Sequence, residues 1–391
     1  MKLAVISHTE HYLDAAGQVH GWAATVRELS RLAPLFDEVV HLAPLHPGSP
    51  PASAAPYTSP RLELRPLRPT GGAGLVAKWG IVRYLPTLWR QIDQVCGEAD
   101  LIHVRAPANI ALTALIYLDV RRISKPCWVK YAGNWRPDPA SDYFSYRLQR
   151  RRLSVPRPWR AVTVNGRWPG DGAHVHAFLN PCLTDDEWQT AKEAAASKPF
   201  TGALQLLFVG RLDEQKGGMR AVRIARRLQE RGLDVQLTVA GDGAEADAVR
   251  AAAEGGDGIR WVGWRSRSEL DELYAAAHFL LLPSRAEGWP KVLSEAMAHG
   301  ALPVAGDVSA IGQILQDLQA TSEGNEAIGW VLPPGDEEEF VQLIQALWRD
   351  DPSTRAARAR TASEAAGAFT YRKHVERVRT LFADLGARPD G

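Results

Sequence analysis

The chain has 391 residues, of which 45% are hydrophobic and 23% are charged, and its formal net charge is +1. This composition is typical of a folded globular protein and excludes a disordered chain. The length predicts two domains of about 200 residues each rather than one. Three widely separated cysteines, Cys96, Cys127 and Cys182, exclude a disulfide scaffold and a C-x-x-C metal or redox motif.

The small net charge hides an uneven distribution along the chain. Residues 1–180 carry 22 Lys and Arg against 13 Asp and Glu, whereas the remaining residues carry 24 against 32. A basic half followed by an acidic half predicts different partners for the two halves.

No segment of the sequence has the pattern of a membrane span. The apolar run at 3–6 is too short for the core of a signal peptide. The longest apolar stretch, 108–118, is shorter than the roughly 20 residues that a spanning helix needs, so we expect a buried helix there. We therefore expect a cytoplasmic protein.

In the first half, short apolar runs alternate with longer helical patterns, which is typical of a parallel sheet with helical crossovers. We expect a first helix at 21–35 and a long Pro-rich loop at 44–69, with one strand in that loop at 62–67. The remaining strands of this half are predicted at 3–7, 38–42, 101–104, 126–131 and 161–164.

A hinge near Asn180 precedes a second copy of the same pattern. Its strands are predicted at 204–209, 235–240, 258–262, 278–282 and 301–305. Its helices are predicted at 219–231, 244–254, 266–276, 292–299 and 337–349. The fold class is therefore α/β, with two doubly wound Rossmann-like domains at 1–180 and 181–370. A last helix, at about 371–391, is expected to join the first domain.

Open parallel sheets bind ligands outside the carboxyl ends of their strands. We therefore expect the chemistry in a cleft between two such sheets that face each other.

The first candidate site motif follows the strand at 204–209. Gly210 and Arg211 come directly after that strand, and Lys216 follows five residues later in a turn that opens a helix. Two cations at a helix N-terminus form a site for a diphosphate. A solvated basic turn is the alternative interpretation of these residues.

The second candidate motif, 284–298, follows the strand at 278–282. Gly288 permits an unusual backbone turn and Pro290 suits the first position of a helix, so the amides there can face an anion. Glu287 lies before this helix and Glu295 lies about two turns inside it, so the carboxylates can bind different parts of one ligand. One capping and one solvated glutamate is the alternative.

In order and spacing, these motifs resemble those of glycosyltransferase family four. The matching segments are G-R-x-x-x-x-K-G at 210–217, the glycine turn at 240–243, Gly263, E-x7-E at 287–295, Asn180-Pro181 and 329–336. The resemblance covers about residues 175–350 well and the N-terminal half only loosely. It implies the GT-B fold and a retaining glycosyltransferase with no obligatory metal or other cofactor, in which domain 1–180 binds the acceptor and domain 181–370 binds the nucleotide-sugar donor. In that family the leaving phosphate takes the proton from the acceptor hydroxyl.

The resemblance also implies a role for each motif residue. Arg211 and Lys216 are expected to clamp the donor diphosphate, and Glu287 is expected to hold the donor sugar near its reacting carbon. Glu295 is expected to bind the ribose hydroxyls. The other expected donor contacts are Gly210, the backbone of Gly288, Trp289, Pro290 and Lys291, and, beside the base, Trp264 and Arg265.

The N-terminal half departs from the family pattern in two loops. Many relatives carry a paired-glycine loop after the first strand, and here Gly17 is the best match, with an ordinary turn glycine as the alternative. Relatives often place a histidine after the fourth strand, whereas this loop has none and offers Asn134 as a sugar or acceptor contact. His8, His11 and His103 are interpreted as structural polar residues.

Residues 143–170 contain seven arginines and no acidic residue, with five aromatic residues among them. Such a segment suits an anionic membrane surface, a phosphorylated acceptor or an acidic glycan. A solvated basic helix is the alternative. One basic segment on a nearly neutral chain does not favour nucleic acid. We expect peripheral contact with the inner membrane face.

Several functions remain open on the sequence alone. Residues 241–246 match the G-x-G-x-x-A turn of nicotinamide enzymes, but no acid for the ribose follows the next strand. A GT-B epimerase or phosphorylase and a non-catalytic scaffold are further alternatives. The sequence favours sugar transfer from a UDP- or GDP-sugar to a sugar, lipid-linked or small-molecule acceptor, in polysaccharide or glycoconjugate synthesis.

Overall fold

The computed structural model describes residues 1–69, 75–137, 142–256, 258–322 and 326–387, with only the helical backbone for 75–82. The chain divides into two compact units. The first unit comprises Met1–Phe178 and His374–Gly391, and the second comprises Leu179–Lys373. None of the helices in the described part of the chain is long and apolar enough to cross a membrane.

The first unit contains ten strands in its described residues. In chain order they are β1 (Lys2–Ile6), β2 (His11–Leu13), β3 (Val19–Trp22), β4 (Glu38–Pro44), β5 (Ala54–Pro56), β6 (Leu62–Leu67), β7 (Leu101–Ala106), β8 (Cys127–Tyr131), β9 (Arg160–Val164) and β10 (Val175–Ala177). Its helices are α1 (Ala23–Leu32), α2 (Leu75–Glu98), α3 (Asn109–Val120) and α4 (Phe144–Leu153). Seven strands form a parallel sheet in the order β10-β9-β8-β7-β1-β4-β6.

Both faces of this sheet are covered, which explains why β1 is a continuous apolar run rather than an alternating one. Leu3 and Val5 of β1 belong to one core cluster, and Ala4 and Ile6 belong to the other. Successive side chains of a strand point to opposite faces, so a four-residue run supplies both cores.

The remaining three strands form a separate antiparallel sheet in the order β2-β3-β5. The sequence did not predict this small sheet. As a result, the first helix begins at Ala23 rather than at the expected residue 21, because Gly21 and Trp22 belong to β3.

The second unit contains a six-stranded parallel sheet in the order β13-β12-β11-β14-β15-β16. Its strands are β11 (Leu204–Val209), β12 (Val235–Ala240), β13 (Ile259–Gly263), β14 (Phe279–Leu282), β15 (Leu302–Gly306) and β16 (Trp330–Leu332). Its helices are α5 (Asp185–Ser197), α6 (Gly218–Glu230), α7 (Ala246–Ala253), α8 (Arg267–Ala276), α9 (Lys291–Ala298), α10 (Ile311–Ala320), α11 (Glu337–Arg349) and α12 (Pro352–Ala365). The five strands predicted for this half are confirmed within one residue at each end.

The last helix, α13 (Tyr371–Asp384), returns the chain to the first unit. Val378 and Phe382 of this helix lie in the same core cluster as Leu3 and Trp128. Phe382 packs edge-on against Trp128, with ring centroids 6.0 Å apart. The first unit is therefore completed by residues from the far end of the chain.

A buried ionic cluster joins four elements of the first unit. Glu28 of α1 accepts hydrogen bonds from Lys130 Nζ at 2.8 and 2.9 Å and from Arg105 Nη1 at 2.8 Å. His374 Nε2 of α13 lies 3.7 Å from the same carboxylate. Burial raises the pKa of Glu28, but these three neighbours outweigh it and hold the pKa well below its usual range.

Candidate functional site

Three loops follow the neighbouring strands β11, β12 and β13 at the carboxyl edge of the second sheet. Backbone hydrogen bonds join them. Gly210 N donates to Ala240 O at 3.0 Å, and Gly241 N donates to Gly263 O at 2.8 Å. The glycines that the sequence singled out in separate motifs therefore lie side by side at this edge.

Gly241 is required by the close approach of two of these loops. Its φ is +140°, and a Cβ atom added there would lie 1.9 Å from the carbonyl oxygen of Gly210. Only glycine fits this position without moving the loop after β11. Close backbone packing therefore explains why residue 241 is a glycine. A nicotinamide-binding role for the turn at 241–246 is not needed to explain it.

An ion pair joins the two candidate motifs. Lys216 Nζ donates to Glu287 Oε2 at 2.5 Å, and the two side chains are 27% and 6% exposed. Ser284 Oγ also donates to the carbonyl oxygen of Lys216 at 3.2 Å. Gly288, next in the chain, is partly exposed. Glu287 is therefore a buried, paired carboxylate rather than a solvated one.

Arg211 lies on the same turn as Lys216 and is joined to it through Asp213. The Arg211 guanidinium forms an ion pair with Asp213, whose Oδ1 accepts a hydrogen bond from Lys216 N at 2.9 Å. Burial raises the pKa of Asp213, but the Lys216 amide and Arg211 together hold it below its usual value. Arg211 is 68% exposed, so most of its donors face solvent.

The turn that carries these cations is held by its own residues. Gly217 precedes α6 with a φ of +81°, and a Cβ there would lie 2.6 Å from the Arg220 guanidinium. Arg220 is buried, and its Nε donates to Pro283 O at 2.8 Å across to the loop after β14. Arg285 N also donates to Gln215 O at 2.8 Å, so the two loops are fixed to each other by backbone as well as side-chain contacts.

Pro290 lies one position earlier relative to the helix than expected, and the Trp289 side chain is buried. The helix α9 begins at Lys291, so Pro290 is its N-cap residue rather than its first residue. The Trp289 ring is buried, donates from Nε1 to Ser294 Oγ at 2.9 Å and stacks on Phe369 at 5.2 Å. The Trp289 side chain thus packs in the core, and only its backbone is available to a ligand.

Glu295 is surrounded by two residues of α8 that the sequence motif did not include. Arg267 binds its Oε1, and the Tyr274 hydroxyl donates to its Oε2 at 3.1 Å. Burial lowers the pKa of Arg267, but Glu295 and Asp271 outweigh it and raise the pKa. A carboxylate has about four acceptor positions, so these two donors leave it able to accept further hydrogen bonds.

Trp264 and Arg265 follow β13 at the same edge. Trp264 is exposed, and Arg265 Nη1 lies 3.0 Å from Glu269 Oε1 on α8. An exposed indole beside a strand end offers a flat apolar face to a ring of a ligand.

The two candidates in the first unit lie in local turns. Gly17 is at the tip of the β2–β3 hairpin, where its amide donates to Asp14 O at 3.0 Å. Asn134 Oδ1 accepts a hydrogen bond from Arg136 N at 3.0 Å in the loop after β8.

Five of the seven arginines in 143–170 pair with two acids that lie outside this segment. Asp142 binds Arg147 at 3.3 Å and also binds Arg150, and Asp119 lies 2.8, 3.8 and 3.9 Å from Arg152, Arg157 and Arg160. Arg160 is also buried. Tyr143 and Phe144, at the start of α4, are 71% and 77% exposed. The exposed cationic surface is therefore smaller than the sequence predicted, and its outermost part is aromatic.

The two Rossmann-like units define the fold class of the chain, which it shares with solved GT-B glycosyltransferases. Sucrose-phosphate synthase from Thermosynechococcus elongatus aligns with 99% of this chain and 99% of its own, with a TM-score of 0.69 and 17% identity. Anabaena HepE in complex with UDP and glucose aligns with 98% of this chain and 99% of its own, with a TM-score of 0.64 and 16% identity. The expected GT-B fold is confirmed.

Residues 203–350 match the protein family described as glycosyl transferases group 1. The amylovoran biosynthesis glycosyltransferase AmsK of Erwinia amylovora is 30% identical over 191 residues, which are 46% of this chain and 45% of AmsK. The match thus spans less than half the length of that relative. Residues 203–350 of the second unit are therefore similar to group 1 glycosyltransferases, and the expected resemblance to glycosyltransferase family four is confirmed.

Proposed function

We propose that the chain is a retaining glycosyltransferase that moves a sugar from a UDP- or GDP-sugar to an acceptor hydroxyl, with no obligatory metal. The observation that carries the proposal is the 2.5 Å pair of Lys216 and Glu287, with Arg211 on the same turn. A buried carboxylate paired with one cation, with a second cation on the same turn, suits a sugar diphosphate, because the sugar presents hydroxyl donors and the diphosphate presents negative charge.

In this proposal, the bond between the sugar carbon and the diphosphate oxygen breaks while the acceptor oxygen bonds to the same face of that carbon. The acceptor proton passes to the departing phosphate oxygen. Lys216 and Arg211 stabilise the negative charge that grows on the diphosphate, and preorganised donors of this kind each contribute about 3–4 kcal/mol. Glu287 accepts hydrogen bonds from the donor sugar and, with the backbone of Gly288 to Lys291, fixes its orientation.

The nucleotide is assigned to the second unit. Glu295 binds the ribose hydroxyls with its remaining acceptor positions, and Trp264 and Arg265 lie beside the base. The Anabaena protein with UDP and glucose supports UDP as the first donor to test. The relative named for amylovoran biosynthesis supports a role in polysaccharide or glycoconjugate synthesis.

The first test is the thermal stability of the purified chain with UDP, GDP, ADP, TDP or NAD, with and without EDTA. A ligand at about 100 times its dissociation constant adds about 2.7 kcal/mol, which is a visible shift. We expect a shift with UDP or GDP that EDTA leaves unchanged. A shift with NAD alone overturns the proposal. Product formed from a nucleotide sugar without any acceptor favours an epimerase instead, whereas product formed only from a glycoside and inorganic phosphate favours a phosphorylase.

We also propose that the surface formed by Tyr143, Phe144, Arg147 and Arg151 contacts an anionic membrane from the cytoplasmic side. Exposed aromatic side chains beside cations suit the interface between lipid headgroups and acyl chains. Phe144 is 77% exposed and Arg147 is 60% exposed, although Arg147 also lies near Asp142. Such contact would place the enzyme beside a lipid-linked acceptor.

A further inference from the structure

Two adjoining cavities open on the first unit, where the chain leaves the carboxyl ends of β1 and β4. Their volumes are about 480 and 200 Å³. Both cavities are lined by His8 and Glu10, so they are two parts of one depression. The larger part alone falls in the range of about 300–1,000 Å³ that is usual for small-molecule sites. None of the residues that the sequence assigned to the donor site is among the described residues that line it.

The smaller cavity is built on the β2-β3-β5 sheet. Tyr12 pairs with His20, and Trp22 pairs with Ala54, so these four residues share one face of the sheet. Trp22 and Tyr12 line the cavity, and Trp22 is 56% exposed. The Tyr12 hydroxyl donates to Glu10 Oε2 at 2.9 Å, which places a carboxylate beside the two rings. An exposed indole next to a carboxylate presents a flat apolar face and strong hydrogen-bond acceptors together.

The larger cavity combines apolar and hydrogen-bonding side chains. Leu88 and Ile110 lie on its wall, with Asn109, Thr113 and Tyr146 as polar groups. Small-molecule sites typically have this mixture, in which a few placed polar groups orient a ligand on an apolar surface.

The charge of the lining decides between classes of ligand. Among the described residues that line the two cavities, none is a lysine or an arginine. Desolvation of the ring and the nearby Arg105 charge lower the pKa of His8, so its imidazole is neutral at pH 7. Glu10 adds a negative charge. Among the described residues that line the depression, a phosphorylated or carboxylated ligand would therefore contact no cation and would be repelled by Glu10, whereas Arg105 is already bound to Glu28.

We propose that this depression binds a neutral saccharide of at least two units, with one ring stacked on Trp22 and the following unit in the larger cavity. A pyranose ring has an apolar C–H face that packs on an indole, and its hydroxyls donate to Glu10 and Asn109. The inference rests on the proposed function, in which this saccharide is the acceptor. It narrows the acceptor to a neutral glycan.

The test uses the full chain on a printed array of neutral oligosaccharides of one to six units, with their phosphorylated and uronic-acid counterparts. We expect neutral glycans of two or more units to bind. Trp22→Ala should weaken that binding by at least about tenfold, since truncating an aromatic side chain that a ligand covers typically costs more than about 1 kcal/mol. Trp22→Phe, which keeps a ring, should restore part of it. Leu13→Ala is the control, because Leu13 is exposed on the opposite face of the same hairpin.

The proposal is overturned if only charged glycans bind, if none binds, or if Trp22→Ala binds as the unchanged chain does. The shift in thermal stability with a nucleoside diphosphate distinguishes failure of the saccharide site from failure of the transferase proposal. If UDP or GDP stabilises the chain while the array fails, the transferase proposal stands and the saccharide site does not. If Trp22-dependent binding of neutral glycans is seen without any nucleotide shift, the saccharide site stands and the transferase proposal fails.

Discussion

Lys216 and Glu287 are separated by 71 residues in the chain, yet Lys216 Nζ and Glu287 Oε2 are 2.5 Å apart. This contact holds the turn after β11 against the loop before α9. Removing one partner of a largely buried ion pair leaves the other charge uncompensated, which costs about 3–5 kcal/mol where burial is complete. The pair therefore supports the local structure as well as the proposed chemistry, and a test must separate the two.

Lys216→Ala and Glu287→Ala should each lower turnover at least about 100-fold, because each removes one electrostatic group from the reacting sugar phosphate. Steady-state rates with a UDP- or GDP-sugar give the measurement, and circular dichroism confirms that each variant is folded. Lys192→Ala is a matched control: Lys192 is 26% exposed and lies 2.6 Å from Glu364, away from this edge. Near-normal turnover in Lys216→Ala or Glu287→Ala would remove that residue from the proposed site.

Glu295→Gln should raise the KM for the donor by about tenfold with little change in kcat. The reason is that a hydrogen bond between a charged group and a ribose hydroxyl is worth about 1.5–3 kcal/mol and lies away from the reacting carbon. Tyr274→Phe removes one of the protein donors to the same carboxylate and keeps its charge, so it should leave KM nearly unchanged. Equal KM values in Glu295→Gln and the unchanged chain would contradict the ribose assignment.

Gly241→Ala should destabilise the second unit far more than Gly232→Ala. Both glycines have positive φ, which costs an alanine about 1–2 kcal/mol. A Cβ at Gly232 meets nothing within 4 Å, whereas at Gly241 it would lie 1.9 Å from the Gly210 carbonyl oxygen. Urea unfolding measures the difference. If the two variants lose equal stability, the close approach of the loops is not a constraint.

The stability of the first unit should fall as the pH is lowered from 6.5. Burial lowers the pKa of His11 to about 4 and also lowers the pKa values of His41 and His103. An unfolded histidine takes up a proton below about pH 6.5, whereas these folded ones remain neutral, so their contribution is fully present above pH 6.5 and is lost below it. Each such histidine contributes a slope of up to about 1.4 kcal/mol per pH unit.

His11→Gln should remove one histidine's share of this slope. Unfolding measured between pH 7 and pH 5 isolates the effect, because unfolded carboxylates titrate near 4. An unchanged slope in the variant would show that His11 charges in the folded state.

Arg147→Ala with Arg151→Ala should weaken binding to vesicles that contain phosphatidylglycerol by roughly tenfold or more, since each basic residue near such a surface is worth about 1 kcal/mol. Vesicle sedimentation gives the measurement, and neutral vesicles should bind neither form. Arg250→Ala, in the second unit and half exposed, is the control for a loss of charge alone. Equal binding by the double variant and the unchanged chain would leave α4 as a solvated basic helix.

The second unit was predictable because its strands are short apolar runs that are buried on both sides. The strands at 204–209 and 235–240 have the bounds that their residues indicate. The β2-β3-β5 sheet was not predictable from the sequence. Its strands have only three or four residues, which is too short for an alternation of apolar and polar residues to be recognised within a loop. Pro86, inside α2, and the preceding Pro-rich segment likewise obscured that helix.

Some residues of the candidate site were likewise predictable from the sequence, and others were not. Lys216 and Glu287 were predicted because each motif follows a predicted strand and both motifs match the family pattern. The structure brings the motifs together because β11 and β14 are neighbours in the sheet. Arg267 and Tyr274, which hold Glu295, belong to a helix whose sequence pattern shows only an amphipathic surface. Asp213, which binds both Arg211 and the Lys216 amide, was not predicted as a site residue. Its place in the sequence between Arg211 and Lys216 was the signal that could have identified it.

The packing of α13 against β1 and β8 sets an order for biosynthesis. The second unit is one continuous stretch of chain and can close as soon as its residues leave the ribosome. The first unit begins emerging earlier, but its core lacks Val378 and Phe382, and Glu28 lacks His374, until translation reaches the final helix. Of the two units, the one whose first strands are synthesised earlier is therefore the later one to be completed.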